Sequence, residues 1–110
     1  MSPVKPSRSD LLKLRIPPNQ NIRLRYSVPE SGLVEFQIQA DHPVRTYIVR
    51  KRGLELFDEG NVKFKYYGGF PDARRRQHQT VSLPFEGPWY LLIINDDEDE
   101  SVTVFYDVSY

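Results

Sequence analysis

The chain has 110 residues, fifteen Lys/Arg balanced by fifteen Asp/Glu, and no cysteine. That length supports one domain able to bury roughly two-thirds of its unfolded surface, while the missing cysteines exclude a disulfide framework, a thiolate metal site and a cysteine nucleophile. Zero net charge argues against sequence-blind nucleic-acid binding, which needs a broad basic footprint. The charge is uneven along the chain, with ten bases and four acids in residues 1 to 52, five of each in 53 to 90, and six acids without a base in 91 to 110.

The polar, Pro/Ser-rich lead Met1 to Asp10 predicts a flexible N-terminal tail, leaving residues 11 to 110 as a single domain. It has no apolar signal core, no run approaches the ~20 apolar residues of a membrane span, and no Asn-x-Ser/Thr acceptor occurs, so the expected location is cytoplasmic. Leu12, Leu14 and Ile16 alternate with Lys13 and Arg15, predicting a strand that stops at Pro17-Pro18-Asn19. A second strand places Ile22, Leu24, Tyr26 and Val28 on one face, until Pro29-Glu30-Ser31-Gly32 turns the chain. A third follows at Val34, Phe36, Ile38 and Ala40, closed by Asp41-His42-Pro43. From Val44 to Arg50 either face could point inward, so the strand is expected but its orientation is not. Lys51-Arg52-Gly53 is read as a turn into a short Leu54 to Phe57 segment, and Asp58-Glu59-Gly60-Asn61 as another turn.

The stretch Val62 to Asn95 organises the rest. Val62, Phe64 and Tyr66 alternate with Lys63, Lys65 and Tyr67, a half-buried strand pattern that Gly68-Gly69 ends. Trp89 to Ile94 is apolar without interruption between Gly87-Pro88 and Asn95-Asp96, as expected of a central strand buried on both faces. A strand from about Gln79 to Leu83 precedes it, and one from Ser101 to about Ser109 ends the chain with Val102, Val104, Tyr106 and Val108 on one face. No window carries a helical 3.6 period. The predicted fold is all-β: an antiparallel β-sandwich of eight or nine short strands, jelly-roll-like or immunoglobulin-like, with a small closed barrel as the alternative. A strand pattern reaching almost to Tyr110 leads to the expectation of a domain cut from, or fused within, a longer polypeptide.

Tyr66-Tyr67-Gly68-Gly69-Phe70, together with Pro84, Gly87 and Trp89-Tyr90 leading into Asn95-Asp96, resembles the bacterial family catalogued as domain of unknown function 1883. The resemblance implies a small β-sandwich, sometimes joined to a TIR domain, with a sensing or adaptor role and no catalytic residues to carry over. The segment Gly87 to Asn95 also bears a looser likeness to pre-peptidase C-terminal sandwich domains.

Candidate chemistry is sparse. His42 lies in a turn and His78 follows three arginines; neither sits in a metal-binding or nucleophile motif, so no catalytic residue and no cofactor is expected. The acidic run Asp96-Asp97-Glu98-Asp99-Glu100 offers hard oxygen ligands for Ca²⁺, with Asp96, Asp97 and Asp99 as the alternative metal set. A solvated hairpin tip that blunts strand edges is the preferred reading, because the run lacks the glycine and alternating spacing of a dedicated loop. The segment after Phe70 is strongly basic and is read as the longest loop. There Arg74, Arg75, Arg76 and His78 lie beside Tyr67 and Phe70, combining fork-shaped donors with aromatic faces. The expected function is a non-catalytic interaction or sensing module whose partner is a protein or an anionic ligand bound at that loop. The alternative is a binder of small molecules or carbohydrate, with or without Ca²⁺.

Overall fold

A computed structural model describes residues 12 to 28 and 30 to 110. The tail expected over residues 1 to 10 lies outside the described residues. The elements are β1 (Leu12–Ile16), β2 (Asn21–Val28), β3 (Gly32–Val49), α1 (Lys51–Asp58), β4 (Arg74–Leu83), β5 (Gly87–Ile94) and β6 (Val102–Ser109). Every strand pairing is antiparallel, in the order β1-β6-β3-β5-β2 with β4 also on β3. The all-β, antiparallel expectation therefore holds at the level of class.

The architecture depends on β3. Its first half, Gly32 to Ala40, pairs with β4 and β6; its second half, Arg45 to Val49, pairs with β5. The sheet thereby curls on itself, and its two halves enclose one core in which Val34, Phe36, Ile38, Val81 and Leu83 meet Ile48, Trp89, Leu91 and Ile93. Asp41-His42-Pro43, expected to end a strand, instead bends one continuous strand where its register with β4 shifts. Pro43 has no N–H to donate and is tolerated at such an irregularity. Asp41 Oδ1 accepts from Thr103 N at 2.9 Å, replacing a lost ladder bond. Buried Gln77 spans the bend from β4, donating to Val44 O at 2.7 Å while its Oε1 accepts from Thr46 Oγ1.

The undecided face of Val44 to Arg50 proves buried on both sides. Val44 and Ile48 join the core between the sheet halves, while Tyr47 and Val49 join Leu92 and Ile94 beneath α1, where Leu54, Phe57 and Phe64 cover them. As expected, β5 is buried on both faces, with Trp89, Leu91 and Ile93 in one cluster and Leu92 and Ile94 in the other. Covering that second face requires α1, and so corrects the expectation of no helix. Eight residues are too few to display a period, but the end of α1 is well defined. Gly60 (φ 84°) takes the left-handed position, its N–H bonding Phe57 O, and Asn61 N–H bonds Leu56 O, the two bonds of a Schellman cap. Arg23 grips the Asp58 carboxylate through two bonds at 2.7 and 2.8 Å, tying α1 to β2.

Three further expectations are corrected. Val62 to Tyr67 forms no strand: Val62 is 93% exposed, and pairing begins only where Tyr67 N–H bonds Ile48 O. The basic segment is not a loop, since Arg74 to His78 opens β4. Six strands are present among the described residues, fewer than eight or nine, because two predicted strands merge into β3 and the Val62 segment stays unpaired. Gly69 (φ 111°) lets residues 67 to 70 lie against the edge of β3, because a Cβ there would sit 2.3 Å from Thr46 O.

Candidate functional site

Antiparallel strands send alternate side chains to opposite faces. On β4, Gln77, Val81 and Leu83 turn inward while Arg76, His78, Thr80 and Ser82 stay exposed. On β3 the exposed or half-buried set is Leu33, Glu35, Gln37 and Gln39, and on β6 it includes Phe105, Asp107 and Ser109. The register aligns these into rows across three strands: Arg76, Gln39 and Phe105; His78, Gln37 and Asp107; Thr80, Glu35 and Ser109. Neighbouring strands lie roughly 4.8 Å apart and rows roughly 6.8 Å apart, so the side chains form a grid with fixed spacing.

Two depressions follow this face along β3. One, of about 310 Å³, is edged by Gln37, Gln39, Arg76 and His78; the other, of about 410 Å³, by Leu33, Glu35, Thr80, Ser109 and Tyr110. Between them His78 Nε2 and Glu35 Oε2 stand 2.8 Å apart, a diagonal cross-strand contact. Together they make a shallow trough, polar at one end and ending in an apolar side chain and a ring at the other, where Leu33 is 67% and Tyr110 61% exposed. The Tyr110 ring is held edge-on by Tyr26 and by buried Trp89.

A second concavity lies on the opposite side of the molecule, where α1 covers the sheet. About 370 Å³ in volume, it is lined by Arg50, Lys51, Arg52, Gly53, Leu56, Lys65 and Tyr67. Gly53 allows α1 to approach the Lys65 segment, since a Cβ would come within 2.9 Å of Lys65 O. Arg50 stacks over the Phe85 ring at 4.4 Å and Lys65 over the Tyr67 ring at 5.2 Å, and the two rings meet edge-to-face at 5.0 Å. Among the described residues none of the four basic side chains makes an ion pair. Lys51 and Arg52 also occupy the first turn of α1, which contains no acid; cations at that positive end are unfavourable by about 0.3–1 kcal/mol each.

The residues singled out from sequence are thus divided among separate places. Arg76 and His78 border the trough. Tyr67 lines the basic concavity. Phe70 packs edge-on against Phe36, with Arg74 over its ring at 4.8 Å and bonded to Asp72, and Arg75, exposed, falls on the opposite side of the strand from Arg76. Basic residues from Arg50 to Arg52 were missed as site residues. The signal was the base excess of the first 52 residues, but only folding brings that end of β3 to Lys65 and Tyr67.

The alternative metal set is dispersed. Asp96 forms two bonds to Arg45, at 2.5 and 3.0 Å. Asp97 Oδ1 accepts from Asp99 N and Glu100 N, each at 2.8 Å, and these two backbone bonds hold its carboxyl below the usual carboxylate range. Among the described residues no group of three acidic or histidine side chains converges as a metal site would require. Buried Asn95 fastens the turn by donating to Ile16 O, Pro17 O and Glu100 O.

No helix among the described residues is long and apolar enough to cross a membrane. No family model matches the chain, and no curated protein does. Among solved structures, a carbohydrate-binding module described as "CBM4 structure and function" is similar at a TM-score of 0.51 and 10% identity, covering 90% of this chain and 82% of that one. At that identity the likeness speaks for the fold alone, a β-sandwich.

Proposed function

We propose that this domain is a non-catalytic binding module that holds a neutral, extended carbohydrate in the trough along β3. The observation that carries the reading is the grid of exposed hydrogen-bonding side chains with a tyrosine ring at its end. A sugar presents hydroxyls that both donate and accept, around faces of C–H bonds. Gln37 and Gln39 offer a donor and an acceptor each, Arg76 a fork of donors, Glu35 and Asp107 acceptors, and Tyr110 and Leu33 an apolar surface. Strands hold these groups at fixed intervals, so a chain of repeating units meets a repeating surface. The similarity to a carbohydrate-binding module supports the reading at the level of the scaffold. Glu35 and His78 lie exposed on an open face, which lacks the water exclusion that strengthens acid–base chemistry.

The test is a titration with neutral glucose and xylose hexasaccharides, followed by amide chemical shifts and calorimetry. Shifts confined to β3, β4 and the end of β6 are expected. Gln37→Ala with Arg76→Ala should weaken binding about tenfold or more while leaving Tm within a few degrees, since lost polar contacts to ligand are felt in binding and exposed side chains contribute little to stability. Saturable shifts elsewhere, or none with either sugar series, would overturn the proposal. A protein-binding reading draws on a different observation, the exposed Val62 beside Tyr66, itself 46% exposed, and the edge-to-face rings of Tyr47, Phe64 and Tyr66. It would be favoured if Val62→Asp abolished capture of a partner without affecting sugar binding.

A further inference from the structure

We infer that the concavity between α1 and the Lys65 to Tyr67 segment is a second site, separate from the trough, for a small organic phosphate that carries a ring. Its volume of about 370 Å³ falls among pockets that enclose small ligands. Two segments of the chain meet there: the run just after β3, with Arg50 and then Lys51 and Arg52 in the first turn of α1, and the segment with Lys65 and Tyr67. A basic run that merely keeps a surface hydrated would not need a further cation, Lys65, brought to the same cavity from a second segment. Here four like charges gather, none of them in an ion pair among the described residues, two of them at the end of a helix where cations are disfavoured. That arrangement is relieved by an anion of more than one charge.

The aromatic pair defines the rest of the ligand. The Phe85 and Tyr67 rings hold Arg50 and Lys65 by cation–π contact, which orders the cations without cancelling their charge. Tyr67 itself lines the cavity, giving a ligand ring an apolar wall next to donors suited to phosphate oxygens. The two sites are opposite in character. Glu35 and Asp107 on the trough face would repel a phosphate, whereas no carboxylate lines the concavity. The inference does not depend on the carbohydrate reading.

The experiment titrates the whole chain with AMP and with glucose 6-phosphate, using adenosine, glucose and inorganic phosphate as controls, by calorimetry and amide chemical shifts. At least one ring-bearing phosphate should shift residues 50 to 53 and 65 to 67 and leave β4 unmoved. Adenosine and glucose should not act at these positions. Affinity should fall severalfold between roughly 0.05 and 0.3 M salt, as screening shortens the reach of the charges. Lys51→Gln with Arg52→Gln should cost about tenfold or more in affinity, the loss expected of charge-assisted bonds, while Tm holds or rises because the helix start is relieved of cations. Tyr67→Leu should weaken the ring-bearing phosphates and not inorganic phosphate; should that variant fail to fold, the double variant still decides. Inorganic phosphate binding as tightly as AMP and glucose 6-phosphate would overturn the inference by marking a bare anion site. Unchanged affinity in the double variant, or no saturable shift at residues 50 to 53 and 65 to 67 with either phosphate, would also overturn it.

Discussion

Strands β4 and β5 are both antiparallel neighbours of β3, and they differ in what covers them. β5 is enclosed twice, by the opposite half of the sheet on one face and by α1 with Phe64 on the other, so its sequence is apolar throughout. β4 is enclosed once, and its free face carries Arg76, His78, Thr80 and Ser82. A doubly covered strand is held to apolar residues by the cost of burying polar groups. A singly covered one leaves every second position open to selection for binding. Stability and, on the proposed reading, recognition are therefore carried by different strands joined through β3.

The comparison can be broken first at β5. Ile93→Ala removes methylenes from a fully buried position and should destabilise by about 2–5 kcal/mol in chemical denaturation. A loss below 1 kcal/mol would mean that β5 is not the centre of the core. On β4 the inward exception is Gln77, whose amide ties Val44 and Thr46 across the bend of β3. Gln77→Ala deprives the Val44 carbonyl of this donor and the Thr46 hydroxyl of this acceptor, and should cost about 1–3 kcal/mol. A neutral result would show that the bend is held by packing alone.

The smallest effect concerns the other neighbour of β5 and appears only in alkali. Tyr26 lies opposite Trp89 with the rings stacked at 4.9 Å, and burial pushes its phenol from 10.0 up to about 12. Its folded value is raised, so its contribution to stability is fully present below pH 10 and is lost as pH rises through about 12. Tyr26→Phe keeps the ring but cannot ionise, so its Tm should decline less than that of the wild type across this window and match it near neutrality. Parallel declines would show that Tyr26 ionises as readily folded as unfolded.

Much of the fold was legible because a side chain's pattern reports whether each face of its strand is covered. The alternation of Ile22, Leu24, Tyr26 and Val28 and that of Val34, Phe36 and Ile38 marked singly covered strands, and the unbroken run from Trp89 to Ile94 marked a doubly covered one. The ambiguity at Val44 to Val49 carried the same message, since a strand buried on both sides has no outward face to reveal. Gly60-Asn61 was visible too, but as a helix cap it has meaning only if the preceding eight residues are helical.

What covers each face was decided only in three dimensions. The local pattern of Val62 to Tyr67 is satisfied by Phe64 and Tyr66 meeting Tyr47, with no backbone pairing before Tyr67, so alternation did not make it a strand. Asp41-His42-Pro43 resembles a stop, yet Gln77 from a distant segment carries the strand through it. The three arginines are adjacent in sequence, but strand geometry sends Arg76 to the trough face and Arg75 to the other side, while Lys65 is brought from a separate segment to the consecutive Arg50, Lys51 and Arg52. Sequence determined which positions must avoid water, because that preference belongs to each side chain. The choice of neighbours belongs to the packing of the whole chain, which local periodicity does not encode.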